Sequence, residues 1–498
     1  MRLLSVLLLL SGCYCETASQ ELRYAVCENC WLPDSLGNHR AVVEVMAAGK
    51  VARAMIPWRR RDYNPEGKSL LVTDKSGRII KNVKKVFVNR EVGDILFEPV
   101  SGAGKYYVYF MKYWVKGRSN YPTIVYPPYH ESADPNWIKS TKGAAPVNTM
   151  VLEIQAIDEL NSFFPMEVIA LKAEMAKLME KNKTSEFLVF PEDRQHPVKM
   201  KTDLPQRWIQ RGPQEFFSAE VAKGENFAFQ LGIFAHRKKL ENVTIKFIDL
   251  AGSAGAIAGN SLSCINTSGI NWDGAAFEKK VDIDQGNVQP LWCIVTIPEN
   301  YPTGEYTGSA IIRASGTSAR TITIKLKVVE RMAVNGGVDE PWKQTRLIWL
   351  NSKLGATDDV IAPYPPLELK GNSITMGGRK LEIAETGLPK QIVTYFTPEM
   401  TTVGKEPKQV LADGFDFIAS VKDKGPVKWV NDKKVDFRTL STGVVVWSAM
   451  NNSEHFRLEV DGRLEFDGFV SYKVKVTAVY LQSEMFRIIH GRPHNDSR

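Results

Sequence analysis

Three kinds of side chain in this 498-residue sequence could do chemistry: adjacent carboxylates, histidines and cysteines. Acids sit side by side at Asp158-Glu159, at Glu192-Asp193 (followed by Arg194) and at Asp358-Asp359. Two carboxyls flanking a glycosidic bond can hydrolyse it, usually from different strands or loops. Sequence neighbours rarely meet that geometry. The residues around 158 read as helix, on which Asp158 and Glu159 point about 100° apart, so a solvated face is their expected role. Asp358-Asp359 lies in the loop NSKLGATDDV, as a calcium ligand or a plain turn, and Glu192-Asp193-Arg194 after Pro191 reads as a charged turn. The histidines (His39, His130, His196, His236, His455, His490 and His494) are scattered, with none paired at a recognised ligand spacing. Nucleophile-elbow, P-loop, dinucleotide and HExxH motifs are also missing. No catalytic residue, metal site or cofactor is therefore expected.

The cysteines depend on the compartment. MRLLSVLLLLSGCYCETASQ carries Arg2, a leucine-rich run from Leu3 to Leu10 and then small residues, the pattern of a secretory signal over residues 1–19. Read instead as a lipobox, Leu10-Ser11-Gly12-Cys13 would anchor the chain through a lipid on Cys13. The run is far shorter than the roughly 20 apolar residues that span a bilayer, and no later segment is long enough either. A secreted chain is expected. Export permits disulfides. Cys27-Glu28-Asn29-Cys30 is a lone CxxC without the second ligand pair that zinc needs, leaving a disulfide or two free thiols. Cys264 and Cys293 share a strand-rich region and could bridge. Asn182, Asn242, Asn266, Asn451 and Asn495 lie in Asn-X-Ser/Thr sequons, candidate glycosylation sites in a eukaryotic source.

Aromatic residues are the conspicuous excess. GKYYVYFMKYW (104–114) has six in eleven, and residues 106–137 have ten in 32. Aromatic rings stack on the apolar faces of sugars, but they also fill cores and interfaces. Trp58, Tyr106, Phe110, Trp114, Tyr126 and Trp137 are the candidate carbohydrate contacts, weighed against burial in a strand covered on both sides. The net charge of +8 is spread along the chain, and the one dense cluster, Arg59-Arg60-Arg61, is too small to imply nucleic acid.

The elements that must position these residues are mainly strands. Hydrophobic content of 44% and charged content of 24% are those of a folded protein, and the length suggests roughly three domains. Residues 20–150 alternate short β-rich runs and turns, with a hairpin loop expected at 100–104. A helical insertion is expected over 151–181, first at 151–160 and again after Pro165. Residues 206–332 carry at least five strand-like runs with no helical period, as in an immunoglobulin-like sandwich. Residues 333–482 are again strand-rich, with a hairpin expected at Asp461-Gly462, and 483–498 read as an unstructured tail. The fold class is thus mainly β: tandem immunoglobulin- or galactose-binding-like β-sandwiches, the first domain being 20–205. The tyrosine-rich strand should have one face in its own core. The other should lie under the helical insertion or the proline-rich loop.

The run PWRRRDYNPEGKSLLVTDKSGRIIKNVKKVFVNREVGDILFEPVSGAGKYYVYFMKYW resembles the N-terminal region of secreted proteins related to glycoside hydrolase family 123. IQAIDELNSFFPMEVIA, FLVFPEDRQHPVKM with DLPQRW, and RLIWLNSKLGATDDVIAPYPPL with ETGLPKQI extend the resemblance over about residues 22–480. It implies β-sandwich domains preceding a (β/α)8 barrel that acts on β-linked N-acetylgalactosaminides. There the substrate's acetamido group is the nucleophile, held by an acid beside the general acid. That acid pair belongs to the barrel. This sequence ends before any alternating strand–helix run, so neither role finds a position, and Asp158-Glu159 lies in the wrong region. The expected function is a non-catalytic accessory region that scaffolds a barrel and contacts glycans. The alternatives are a self-contained carbohydrate-binding or adhesion protein and, behind it, an active N-acetylhexosaminidase.

Overall fold

The computed structural model describes residues 22–479 apart from 273, 422, 423 and 432, together with the backbone of Arg487–Ile488. The leader, Cys13, Cys15, His490, His494 and Asn495 lie outside the described residues. The described chain is mainly β, arranged as successive sandwiches. It divides into two compact units, 1–352 and 353–498.

The first unit opens with strands β1 (Arg23–Val26), β2 (His39–Val45), β3 (Ala52–Ile56), β4 (Leu70–Asp74), β5 (Val83–Val88), β6 (Gly93–Phe97) and β7 (Gly104–Phe110). A small ribbon, β8 (Trp114–Lys116) with β9 (Thr123–Val125), and the strand β10 (Thr149–Ala156) follow. Sheet β1-β10-β2-β7-β4 faces sheet β3-β6-β5. Alternate residues of each, such as Val43, Val108, Ile56 and Phe97, meet in one core. The helices α1 (Pro33–Leu36) and α2 (Pro135–Thr141) are short.

Strand β7 is buried on both faces. Tyr106, Val108 and Phe110 point into the core. On the other face Tyr109 packs with Trp31 and Ile157, and the Arg40 guanidinium lies 3.9 Å from the Tyr107 ring centre and 4.3 Å from that of Trp31. Arg40 also donates to Gln155 Oε1 (2.7 Å) and to the Tyr109 hydroxyl (3.1 Å). The cover thus comes from the N-terminal Cys27–Leu36 segment, from Arg40 and from Ile157 just after β10. The expected helical insertion does not supply it.

Two further local expectations are overturned. Residues 151–160 are not helical: β10 pairs with β2 and, in parallel, with β1. Short apolar runs fit both periods, and β-sheet pairing decides here. Asp158 consequently sits in a turn, where Oδ1 accepts from the Asn161 backbone N–H at 2.8 Å. The loop at 100–104 is no hairpin, since β6 and β7 belong to opposite sheets and it arches between them.

The chain then forms a 3-10 turn (Pro165–Glu167), α3 (Lys172–Lys181), β11 (Leu188–Glu192) and α4 (Gln206–Arg211). The second sandwich is built from β11 with β12 (Phe216–Lys223), β13 (Asn226–Phe234), β14 (Thr244–Gly252), β15 (Gly255–Ile257), β16 (Leu262–Cys264), β19 (Val288–Thr296), β20 (Gly304–Arg313) and the long β21 (Arg320–Met332), nine strands in all, while β17 (Ser268–Ile270) and β18 (Ala276–Glu278) pair as a separate ribbon. Its sheets run β11-β13-β19-β16 and β12-β21-β20-β14-β15. Strand β11 therefore pairs with β13, although its sequence lies before residue 206. The helical layer rests on the outer side of β11 and β13 through Leu178, Phe190, Trp208 and Phe234. Arginines tie this layer to the first sandwich: Arg59 grips both oxygens of Glu174 (2.7 and 2.8 Å), Arg90 both of Asp203, and Arg61 meets Glu167. Arg60 is buried and pairs with Asp62, which Lys68 also contacts.

The second unit contains β22 (Glu368–Lys370), β23 (Ser373–Met376), β24 (Arg379–Ile383), β25 (Pro389–Phe396) and β26 (Val403–Gln409) as one meander. The short strands β27 (Ala419–Val421), β28 (Gly425–Pro426) and β29 (Val430–Asn431) lead to β30 (Asp436–Ser441), β31 (Val444–Asn452), β32 (Phe456–Glu465) and β33 (Val470–Ala478). The expected hairpin at Asp461-Gly462 is instead the middle of β32, and the chain turns at Asp467-Gly468. Glycine is required at 462 for space: a Cβ there would stand 2.0 Å from the buried Trp447 ring.

Two measurements follow from this packing. Gly462→Ala should lower stability by about 1–3 kcal/mol in denaturant unfolding, as overpacking does; an unchanged midpoint would refute the close approach. Burial pushes the Asp62 carboxyl up, but hydrogen bonds and charges from Arg60 and Lys68 outweigh it and hold its pKa below the usual range. A depressed folded pKa stabilises fully above the unfolded value of about 4 and loses that contribution as pH falls. Asp62→Asn should therefore flatten the acid limb of Tm against pH.

Candidate functional site

A polar cluster grows from the end of β11, Leu188–Glu192, which continues the apolar run from Phe187. A continuous apolar run folds as a strand covered on both faces, and β11 is buried throughout. Its last residue, Glu192, is carried inside with it, 1% exposed. Helix α4 supplies the partners. Arg207, Trp208 and Arg211 all reach the carboxylate, with Trp208 Nε1 at 3.0 Å, Arg211 Nη2 at 3.1 Å and Arg207 Nε at 3.3 Å. Arg207 and Arg211 stand four residues apart and so share a helix face. Trp208 stacks on Phe190 at 4.5 Å, and this stack fills the space a Cβ on Gly232 would need.

The following loop is bonded throughout. Asp193 accepts from the backbone N–H groups of Gln195 and His196 and from His196 Nδ1 at 2.8 Å. The Gln230 side chain holds the loop from β13, accepting from Val198 N–H and donating to the Asp193 carbonyl. Arg194 turns inward to a fully buried Glu225 at 2.6 Å, between the rings of Phe227 (4.5 Å) and Trp342 (5.3 Å). Glu225 accepts in addition from Ala222 N–H.

Chemically, Glu192, Asp193 and His196 bring three possible metal ligands within 4.8 Å of one another. Two guanidiniums already satisfy Glu192, however, so an entering cation would meet their charge. Glu192 and Glu225, having no open lone pair facing solvent, are unsuited to acid–base work. The cluster is built to hold β11, α4 and β13 together. The reading of Glu192-Asp193-Arg194 as a charged turn missed this. The available signal was an acid ending an unbroken apolar run, with Arg207 and Arg211 at helical spacing.

The aromatic candidates separate by burial. Trp58, Tyr106, Phe110 and Trp137 lie inside, with Trp58 Nε1 donating to the Asn89 carbonyl and Trp137 Nε1 to that of Lys50. As carbohydrate contacts these four are corrected, because a ring with no open face cannot stack on a sugar. Tyr126 is half-buried beside Lys68. Trp114 is 43% exposed on the β8–β9 ribbon, next to exposed Val115, Tyr121 and Ile124.

The remaining candidates are placed as follows. Cys27 and Cys30 are joined in a disulfide, while Cys264 and Cys293 are buried free thiols. Asn242 is exposed, whereas Asn182 caps α3 through Leu178 O and Asn266 accepts from Trp292 N–H. Asn451 is fully buried and donates its side-chain N–H to Thr386 O. It is corrected as a glycosylation site, since the attachment nitrogen is enclosed. Asp358 is bound by Arg463. The acids nominated in the sequence are thus spread over separate elements.

Residues 29–157 match the family described as glycoside hydrolase 123, N-terminal domain, and residues 367–485 match glycoside hydrolase 123, third domain. This is a glycoside hydrolase family 123-like protein. No curated protein matches it. Among solved structures, the family 123-like chain is similar to a family 123 glycoside hydrolase from Clostridium perfringens, described for glycolipid glycan hydrolysis, at 14% identity and TM-score 0.24 over 30% of this chain and 28% of that one. It thus spans 28% of the length of that enzyme. It is also similar to the PapD-like domain 7 of human CEP192 (9% identity, TM-score 0.15, 24% and 82% covered). The major pilin subunit BcpA of Bacillus cereus gives 11% identity and TM-score 0.15, with 74% and 96% covered. Scores this low carry no argument about activity.

Glu192→Gln should cost the family 123-like chain about 3 kcal/mol by denaturant unfolding, because two guanidiniums lose a buried counter-charge. Glu159→Gln, on an exposed turn, should be neutral. Added calcium or zinc should leave the wild-type midpoint unchanged; a rise of several degrees would show that the Glu192–His196 loop does take a cation.

Proposed function

We propose that this protein is the β-sandwich accessory region of a secreted glycoside-hydrolase-like protein, supporting a catalytic barrel and contacting glycans rather than cleaving them. Its three domains would be 20–205, 206–332 and 333–482. One observation carries the reading. Among the described residues, one acid of each nominated pair is spent on internal bonds, Glu192 to Arg207 and Arg211, Asp158 to its own turn and Asp358 to Arg463, and Glu225 is likewise held by Arg194. Hydrolysis needs two carboxyls facing one bond at a separation of about 5–10 Å in an open cleft, a demand that carboxylates committed in this way do not serve.

Glycan contact is proposed for the β8–β9 ribbon. Trp114, Val115, Tyr121 and Ile124 keep exposed apolar surface on a two-stranded element outside both sheets of the first sandwich. Rings on such a ribbon lose little conformational entropy on binding. The same ribbon serves the second reading, a self-contained extracellular carbohydrate-binding or adhesion protein. The chain has no helix long and apolar enough to cross a membrane among its described residues. Secretion, or a lipid anchor at Cys13, is proposed from the sequence of the leader.

Incubation with an aryl N-acetylhexosaminide should give no turnover above buffer; measurable hydrolysis abolished by a single carboxylate substitution would overturn the accessory reading. Titration with N-acetylated oligosaccharides should saturate, and Trp114→Ala should weaken binding at least ten-fold while leaving Tm unchanged. A flat titration with wild type would remove glycan contact from the proposal.

A further inference from the structure

Cys264 and Cys293 stand directly opposite each other on adjacent antiparallel strands, β16 and β19. The Ile265 N–H donates to the Trp292 carbonyl at 3.1 Å, so residues 265 and 292 form the hydrogen-bonded pair. Cys264 and Cys293, one step along, are therefore the non-hydrogen-bonded pair, in which Cα atoms stand about 4.5 Å apart and side chains approach most closely. That separation lies within the range a disulfide spans without backbone movement. Both side chains enter the same core, and both are free thiols.

We propose that Cys264 and Cys293 form a reversible cross-strand disulfide, a redox latch that fastens strand β16 to the second sandwich. Strand β16 has three residues and lies at the edge of its sheet. Its release exposes the pair, and short edge elements open at low cost. Cys264 retains slight exposure while Cys293 has none, so Cys264 is the first to react. A hydrogen bond from Cys293 lowers the Cys264 thiol to about 7, helped by bonds from Asn266 and Thr267, while burial raises Cys293.

The oxidant is a disulfide. The Cys264 thiolate attacks one sulfur of the donor and expels one thiolate, leaving a mixed disulfide on Cys264. The Cys293 thiolate then attacks the Cys264 sulfur and expels the second. The protein loses two electrons and two protons, and one donor disulfide becomes two thiols. Closed, the latch restrains β16 and the Asn266-Thr267 turn that follows it. The inference is independent of the glycan reading.

Full-length protein would be equilibrated with oxidised glutathione, unfolded, alkylated and mapped by mass spectrometry, with Cys27→Ser/Cys30→Ser as background. A peptide pair linked through 264 and 293, cleaved by a reductant, is expected. So is hydrogen exchange over 262–267 at least ten-fold slower in the oxidised form than in the reduced form. Two alkylated thiols at 264 and 293 after equilibration would overturn the proposal, as would a glutathione adduct that never resolves. The Cys264→Ala variant, which keeps the core filled, should show no oxidation-dependent change in exchange; the same slowing there would also refute it.

Discussion

A buried carboxylate without enough donors is costly, and the junction after the first sandwich is organised around satisfying one. Glu192 is drawn inside because the apolar run before it is a fully covered strand. Its charge then demands cations at a fixed place, and Arg207 and Arg211 supply them from one face of α4. That requirement sets the position of α4, hence of Trp208, which stacks on Phe190 and closes against Gly232. The loop from Asp193 to Val198 follows, pinned by Gln230, and Arg194 repeats the arrangement with Glu225. Removing the central charge would leave two guanidiniums without an acceptor, so these contacts stand or fall together.

A second set of arginines acts on the same principle at longer range. Arg59 and Arg90 make two-pronged contacts with Glu174 and Asp203, and Arg61 reaches Glu167. A planar guanidinium binding both oxygens fixes direction as well as distance. Two of the three adjacent arginines, Arg59 and Arg61, therefore join the first sandwich to the helical layer of the second, while Arg60 turns inward to Asp62. This explains why a compact basic cluster can sit in a chain with no other sign of nucleic-acid binding.

These arrangements bear on function by what they consume. Glu192 and Glu225 are engaged inside the fold, and the exposed rings of Trp114 and Tyr121 lie on a small ribbon beside it. That distribution is what motivates the proposal of a presenting and supporting role. The free thiol pair in the second sandwich is a separate device, set in the core by strand register and reached through a short edge strand.

Much was legible in the sequence. Period-2 alternation and turn residues showed a mainly β chain of successive sandwiches, and the tyrosine-rich run declared a strand with two covered faces, because apolar residues on both sides leave no solvent face. The long motifs around 57–114 and 346–392 carried the resemblance to family 123. Local patterns failed where partners lie far away in the chain. Residues 151–160 satisfy both helix and strand periods, and pairing with β1 and β2 decided between them. Gly462 looked like a turn until Trp447 was placed against it. The roles of Glu192, Tyr106 and Asn451 could not be read from composition, because burial and ion pairing are properties of the whole packing. The sequence by itself determined the class of fold and the likeness to family 123; tertiary structure decided which charges and rings are spent on holding it together, since only packing brings residues far apart in the chain within reach of one another.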